Sequence, residues 1–400
     1  MRISTEGMFA RGSASLSAQY GDLAHLRAQV ATGRRILTPA DDPAASAAVL
    51  HTGSAIAVNQ NYAHNQTSAL ATLNQAESAL GSFGDGLQEV RQHLLAANNG
   101  GYGDADRQSI ATALEQLRGQ LLGLANSRDG AGAYLFAGFN ESGAPFALTA
   151  NGASYAGDDG ERQIEVAPQR LMAVSVNGAA TFMRVPDGNG VFAVSAAAAN
   201  TGEGIIDAGR VINPAALTGH QYQLSFTSAA SYDVIDVTLG ITLSSANPYV
   251  SGNAITVDGM QTDVSGAVAA GDVFALNPSR HQSVFATLSN VISALQTPSV
   301  NGAGRAALSN QVNAALTNVD RALDTALTAR TSLGARQAGI ARLQDITSAA
   351  GIEHQRRLSE LQDLDYAQAA SDLARGQTMI DANQQTFARL AKLSLFDYLR

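Results

Sequence analysis

Both ends of the chain carry an apolar residue at every seventh position. At the start they are Phe9, Leu16, Leu23 and Val30, and near the end they are Tyr366, Leu373, Ile380 and Phe387. A heptad repeat of this kind puts one narrow apolar stripe on a helix, which is the contact surface of a coiled coil. A stripe of about four heptads is only marginally stable alone in water. We therefore predict that both terminal helices need a partner, and we assign these eight residues and Leu390 to an assembly interface.

The partner of each stripe is either the other end of the same chain or a neighbouring copy. Gly12, Gln19, Gly376 and Asn383 lie beside the stripes. Small or polar residues make a poor closed dimeric core, but they allow close contacts between helices. We expect the two ends to pair within one chain incompletely, which leaves apolar surface for neighbouring copies.

Two proline-free tracts predict long helices inside these ends. The tract from Ala44 to Ala144 and the tract after Pro298 repeat apolar residues at alternating spacings of three and four. Such spacing is typical of amphipathic helices in a bundle. The polar break at 98–101 predicts a helical hairpin in the first tract, and a third bundle helix is predicted across 312–343.

The middle of the chain changes to short β-favouring runs between about Tyr134 and Asn277, separated by Gly, Pro, Asn and Asp turns. The clearest runs are 163–166, 222–226, 233–243 and 254–257. The predicted fold is mainly α with an all-β insertion, built from coiled-coil terminal helices, a rod of long bundled helices and a projecting β domain. The predicted domains are residues 1–40 with 360–400 (terminal assembly domain), 41–180 with 282–359 (helical rod with a small β element) and 181–281 (outer β domain).

A joint is predicted where the first helix ends. Gly33 is expected to stop that helix, Pro39 interrupts any continuation, and an aspartate at 41 or 42 can cap a second helix whose first turn tolerates Pro43. We predict that Gly33, Pro39, Asp41, Asp42 and Pro43 form an interdomain joint. From spacing alone, an ordinary interhelical loop is the alternative.

The composition argues against nucleic acid as a partner and against insertion in a membrane. The net charge is −9, and Lys392 is the only lysine, so no basic stripe is available for phosphates and nucleic acid is not an expected partner. No stretch approaches the ~18 continuous apolar residues of a membrane span, so no membrane insertion is expected. The first residues lack the apolar core of a secretory signal.

The sequence supplies no recognisable catalytic or metal-binding motif. The seven histidines are scattered without the spacing of a zinc site, and cysteine is absent. The run 152–156 misses the pattern of a nucleophile elbow, and 158–161 lacks the alternating ligands of a calcium loop. We expect no catalytic residue, no cofactor and no metal, and therefore no enzyme.

Two segments resemble conserved elements of the flagellin superfamily. They are Val30 to Pro43, after the first helix, and Asp365 to Leu373 with the glutamine-rich helix that follows. The runs 1–5, 121–126 and 132–139 look like the hook–filament junction branch of that superfamily rather than flagellin itself. The resemblance covers about the first 145 and the last 120 residues, and it indicates a flagellin-like fold.

The resemblance implies a structural subunit of the bacterial flagellum, an adaptor at the hook–filament junction on which the flagellin filament assembles. It implies self-assembly in a ring or helical lattice, contacts with the first hook-associated protein and with flagellin, and an export chaperone. It also implies an extracellular location in the flagellum, reached without a cleaved signal peptide. The alternatives are a short flagellin, or a flagellin-like shaft that displays a glycan-binding or enzymatic β module.

Overall fold

The computed structural model describes residues 5–140 and 143–392, which form two compact units. Unit 1 combines the segment as far as His64 with the segment from Gln344 onward, and unit 2 is Asn65–Leu343. In the described residues the α-helices are α1 (Thr5–Thr32), α2 (Pro43–Ala97), α3 (Asp104–Ala125), α4 (Val284–Gln296), α5 (Gly302–Gln362) and α6 (Tyr366–Lys392), and two short helices of other types are Ala179–Met183 and Pro214–Ala216.

Most of the predicted helices are confirmed. The first helix ends at Thr32, and Gly33 follows with φ +71°, a backbone conformation that glycine adopts without strain. Helices α2 and α3 form the predicted hairpin around the polar break, and the third predicted helix lies within the much longer α5.

Helix α4 was not predicted. It begins after Ser283, whose side chain accepts a hydrogen bond from the Phe285 N–H, and its apolar face is fully buried. The spacing of Phe285, Leu288 and Ile292 was available in the sequence as a signal.

The strands lie in unit 2. They are β1 (Phe146–Thr149), β2 (Gly152–Tyr155), β3 (Gln163–Ala167), β4 (Arg170–Ala173), β5 (Val185–Pro186), β6 (Phe192–Ala196), β7 (Ile205–Ile206), β8 (Arg210–Val211), β9 (Tyr222–Ser228), β10 (Ser231–Asp236), β11 (Ile241–Pro248), β12 (Ala254–Val257), β13 (Met260–Ser265), β14 (Val273–Pro278) and β15 (His281–Gln282). The pairs β1–β2, β3–β4 and β5–β15 are two-stranded and antiparallel.

The first core of unit 2 joins helices and these small sheets. At its centre the ring of Phe182 lies 4.7 Å from that of Phe83, 5.1 Å from that of Phe136 and 5.5 Å from that of Phe146. All four rings are almost fully buried. Residues of α2, α3, α4 and α5 complete this core.

The second core of unit 2 lies between two larger sheets. One sheet has the strand order β11-β10-β9-β14-β6, and the other contains β12, β13 and β7, with β8 also paired to β13. Large buried side chains such as Tyr222, Phe226 and Phe274 fill the space between them. The all-β character of the central insertion is thereby confirmed, whereas the three-domain division stays a prediction.

The run 233–243 does not form one continuous strand. It is a hairpin in which β10 ends at Asp236 and β11 begins at Ile241. Gly240 turns the chain with φ +69°, and the Asp236 carboxylate accepts the Leu239 N–H at 3.0 Å. A capping aspartate and a glycine thus outweigh the β propensity of the residues between them.

The described part of unit 1 has almost no core of its own. Neither core of unit 2 contains any of its described residues. Among its described residues, the buried hydrophobic side chains are Leu23, Ala369 and Ile380. Long helices with so few buried apolar residues have little hydrophobic stabilisation.

Candidate assembly surface

Helices α1 and α6 pair side by side in opposite directions. The rings of Phe9 and Phe387 lie 4.6 Å apart at one end of the pair. Further along, Leu23 lies against Gly376, where an added Cβ would come within 3.4 Å of the leucine side chain. The two predicted stripes therefore meet each other within one chain.

The small and polar residues beside the stripes lie in this contact. A Cβ added at Gly12 would lie 3.0 Å from the ring of Phe387, so glycine at this position leaves the space that the ring occupies. The Asn383 Nδ2 donates to the Gln19 Oε1 at 2.8 Å. One polar pair between two apolar stripes fixes their register more than it stabilises them.

The pairing leaves part of each stripe exposed. Leu23 and Ile380 are buried, and the predicted residues Leu16, Val30, Leu373 and Phe387 are half-buried. Phe9 and Tyr366 remain 45% and 58% exposed. The side chain of Leu390, the ninth predicted interface residue, lies outside the described part of the structure.

Exposed apolar residues that were not assigned to the interface add to this surface. Tyr20 on α1 and Met379 on α6 are exposed, and so are Leu50 on α2 and Ile352 on α5. These residues lie outside the strict seven-residue repeats; Tyr20 fills a position four residues after Leu16, beside the first stripe, but it was not assigned to the interface. We call the set Phe9, Tyr20, Tyr366 and Met379 the terminal apolar surface.

The predicted joint is a turn whose backbone is hydrogen-bonded to the chain where α5 ends and α6 begins. The Arg35 N–H donates to the Gln362 oxygen at 2.7 Å, and the Leu364 N–H donates to the Gly33 oxygen at 2.9 Å. The segment between α1 and α2 is thereby tied to the segment between α5 and α6. The sequence did not indicate this pairing, because the two segments lie more than three hundred residues apart.

Two aspartates hold the turn together. The Asp41 Oδ2 accepts the N–H groups of Leu37 and Thr38, both at 2.8 Å. These bonds, first that of Thr38 and then that of Leu37, lower the pKa of Asp41 to about 2. The neutral acid cannot accept them equally well, so the turn favours the carboxylate.

Asp42 is the residue that caps α2. Its Oδ1 accepts the Ala45 N–H at 2.9 Å, and Pro43 is the first residue of the helix. The bond from Ala45 and the nearby Arg35 guanidinium lower the pKa of Asp42. Pro39 lies in the turn itself. The joint lies within unit 1, because unit 1 extends as far as His64 along this part of the chain. Its role between domains stays a prediction.

The described residues contain no group of three or more histidine, aspartate or glutamate side chains arranged to hold a metal ion. The described helices also include none that is long and apolar enough to cross a membrane.

Comparison with known proteins places these features in a family. The model of the bacterial flagellin N-terminal helical region matches residues 3–141, and that of the C-terminal helical region matches residues 316–399. The crystal structure of FlgL from Xanthomonas campestris is 30% identical, with a TM-score of 0.73, and the match covers 77% of this chain and 99% of that chain. The chain belongs to the FlgL family.

Curated FlgL relatives carry the name flagellar hook-associated protein 3. That of Salmonella typhimurium is 34% identical over 196 residues, which span 47% of this chain and 61% of the relative. That of Escherichia coli is 26% identical over 400 residues, 99% of each chain. The flagellar junction protein FlgL from Legionella pneumophila has a TM-score of 0.71 at 28% identity, and the match covers 79% of this chain and all of that one. These matches confirm the predicted flagellin-like fold, and they place the chain among flagellar structural proteins.

Proposed function

We propose that this chain is the adaptor subunit of the hook–filament junction, and that unit 1 is the part through which copies assemble. The observation that carries the proposal is the composition of unit 1. Among its described residues, four helical segments bury three hydrophobic side chains and leave large apolar side chains exposed. A surface of this kind is stabilised when neighbouring subunits cover it.

The geometry of the stripes suits repeated contacts. A contact between two different patches of successive copies generates a ring or an open helical lattice, and a tube needs such a lattice to continue. The intrachain pairing of α1 and α6 covers only part of the terminal apolar surface. Phe9 contacts Phe387, and Tyr20 accepts a hydrogen bond from Gln384, yet both side chains remain exposed in part. Together with the exposed Tyr366 and Met379, they offer apolar area to the next copy. The eight predicted interface residues whose side chains are described thus range from buried in the pair, as Leu23 and Ile380 are, to largely exposed, as Tyr366 is.

The same proposal includes specific protein partners. The chain would contact the first hook-associated protein on one side and flagellin on the other, and an export chaperone would hold the C-terminal helix before assembly. It would act without catalysis. The family resemblance supports these partners, and the exposed Tyr366 and Met379 on α6 are compatible with a chaperone that shields them.

The test is a charge placed on the exposed side of α6. Met379→Glu should leave the isolated protein folded, since this side chain is 57% exposed. In the junction the carboxylate would be desolvated without a partner, at a cost of at least several kcal/mol. We expect cells that carry this variant to export it and to shed flagellin unpolymerised.

Leu171→Glu provides the matched control. Leu171 lies in β4 of unit 2 and is 62% exposed, so the same change of charge falls on an equally accessible apolar side chain. The control should support normal filaments. Export must be measured for both variants by detecting them outside the cell, and normal filaments built on exported Met379→Glu protein would refute the role of this surface.

A further inference from the structure

Five asparagines of the chain are followed directly by glycine. They are Asn99, Asn151, Asn177, Asn189 and Asn301. At such a pair the backbone nitrogen of the glycine can attack the side-chain carbonyl carbon (Cγ) of the asparagine, because glycine has no side chain that shields its nitrogen. The attack needs a glycine backbone that is free to move and an asparagine side chain that can turn toward it. The surroundings of the five pairs therefore decide which of them reacts.

Two of these asparagines are held by hydrogen bonds at both ends of the side-chain amide. The Asn177 Nδ2 donates to the Asp159 backbone oxygen at 3.1 Å, and its Oδ1 accepts the Ala180 N–H at 2.9 Å. The Asn189 Nδ2 donates to the Gly209 oxygen at 3.2 Å, and its Oδ1 accepts the N–H groups two and three residues further on, both at 3.0 Å. Attack on either Cγ would have to break these bonds first.

In two further pairs the glycine belongs to a regular element. Gly152 is buried and lies in β2 opposite Thr149. Gly302 is the first residue of α5, and the Asn301 Oδ1 caps this helix by accepting the Gly304 N–H at 2.7 Å. Neither glycine nitrogen can turn toward the preceding side chain without disturbing its strand or helix.

The pair Asn99–Gly100 differs because it lies in the turn between α2 and α3, outside both helices. Both residues are exposed, and nothing lies within 4 Å of a Cβ added at Gly100. Among the described residues, neither the Asn99 Nδ2 nor the Gly100 N–H has a hydrogen-bond partner. This pair is therefore free at the two nitrogens that the reaction changes.

One hydrogen bond in this turn favours the attack. The Asn99 Oδ1 accepts the Gly101 N–H at 3.0 Å. The bond keeps the side chain folded over the backbone that contains the Gly100 nitrogen. It also places an N–H donor on the oxygen that becomes negatively charged when Cγ is attacked.

We propose that Asn99 is a site of spontaneous deamidation in the folded protein. The Gly100 nitrogen bonds to Cγ of Asn99, and the bond from Cγ to Nδ2 breaks. The proton of the Gly100 nitrogen passes through water to the departing Nδ2, which leaves as ammonia, and a succinimide ring remains. Water then opens the ring at one of its two carbonyl groups and gives aspartate or isoaspartate. The product carries one more negative charge than the asparagine.

The turn can accept this charge. It precedes the N-terminus of α3, an end of the helix that favours negative charge and already carries Asp104 and Asp106 in its first turn. Neither Asn99 nor Gly100 belongs to a core. We therefore expect the modified protein to keep the thermal midpoint of unit 2 and to separate from the unmodified protein by charge.

The test incubates the full-length folded protein at mildly alkaline pH, where the glycine nitrogen loses its proton more readily, and follows all five asparagines by peptide mass spectrometry. We expect the mass gain from replacement of the amide NH₂ by OH to appear at Asn99 at least several-fold faster than at each of the other four. Gly100→Val is the matched variant, because the space around Gly100 is open and its φ lies outside the left-handed region. Its branched side chain should shield the nitrogen and slow the gain at Asn99 at least several-fold.

The same incubation in guanidinium chloride separates the effect of the structure from that of the local sequence. In the unfolded chain the five asparagines should react at comparable rates. A gain at Asn99 no faster than at the other four in folded protein would overturn the inference. The same preference for Asn99 in folded and unfolded protein would also overturn it, and this comparison needs no variant.

Discussion

Ile380→Asp should open the α1–α6 pair without weakening unit 2. Ile380 is 5% exposed, and its helix packs along α1. Loss of one buried isoleucine removes about 1.5–3 kcal/mol, and a carboxylate in its place prevents the helices from closing around it. Since every 1.4 kcal/mol is a factor of ten, the amides of α1 should exchange hydrogen about tenfold to a hundredfold faster in the isolated protein.

The neighbouring residue supplies the control. Met379→Asp places the same charge one position away on the exposed side of α6, and it should leave the exchange of α1 unchanged. Both variants should keep the thermal midpoint of unit 2, because neither core contains a described residue of α1 or α6. Unchanged exchange in α1 after Ile380→Asp, or a lower midpoint of unit 2, would refute the packing described here.

Three further predictions concern the cores and the joint. Phe182→Ala should lower the free energy of unfolding of unit 2 by about 3–5 kcal/mol, measured by calorimetry. Phe9→Ala should leave that transition unchanged, because Phe9 lies outside both cores, and equal effects of the two variants would contradict this. The pKa of Asp41 is about 2 in the folded turn, so the stability that this carboxylate contributes is present above the unfolded pKa and is lost as pH falls from about 4 to 2. Hydrogen exchange of the Leu37 and Thr38 amides should become faster in that pH range. In Asp41→Asn, which is destabilised at every pH, exchange should not change across this range. Burial raises the pKa of Tyr155 and Tyr222 to about 12, so unit 2 should lose stability as pH rises from about 10 to 12. An absorbance titration in which all tyrosines of the folded protein ionise near pH 10 would contradict this.

The helices were predictable because their signals are local. A residue every seventh position, a capping aspartate before Pro43 and a glycine after the first helix each depend on a few neighbours in sequence, and the structure places all of them in the expected elements. The hairpin in 233–243 was missed because its turn lies inside a strongly β-favouring run. Gly240 and the hydrogen bond that the Leu239 N–H donates to Asp236 form this turn.

The assembly surface and the joint were predictable only in part. The heptads identified the apolar faces of α1 and α6, but periodicity does not say which face meets the other helix and which stays exposed. That division depends on contacts such as Phe9 with Phe387 and Gln19 with Asn383. The pairing of the Arg35 and Gln362 backbones depends on chain topology, which no single-sequence pattern contains.

Accessibility of the terminal apolar surface tests the central claim most directly. The chain has no cysteine, so Met379→Cys and Tyr20→Cys each introduce one thiol at an exposed position, and Leu171→Cys does so in unit 2. In the isolated protein all three should react readily with a maleimide. In hook–filament junctions carrying these variants, we predict that the thiols at 379 and 20 are protected while the thiol at 171 still reacts. Equal reactivity at 379 and 20 before and after assembly would show that neighbouring subunits do not cover this surface, and the account would be wrong.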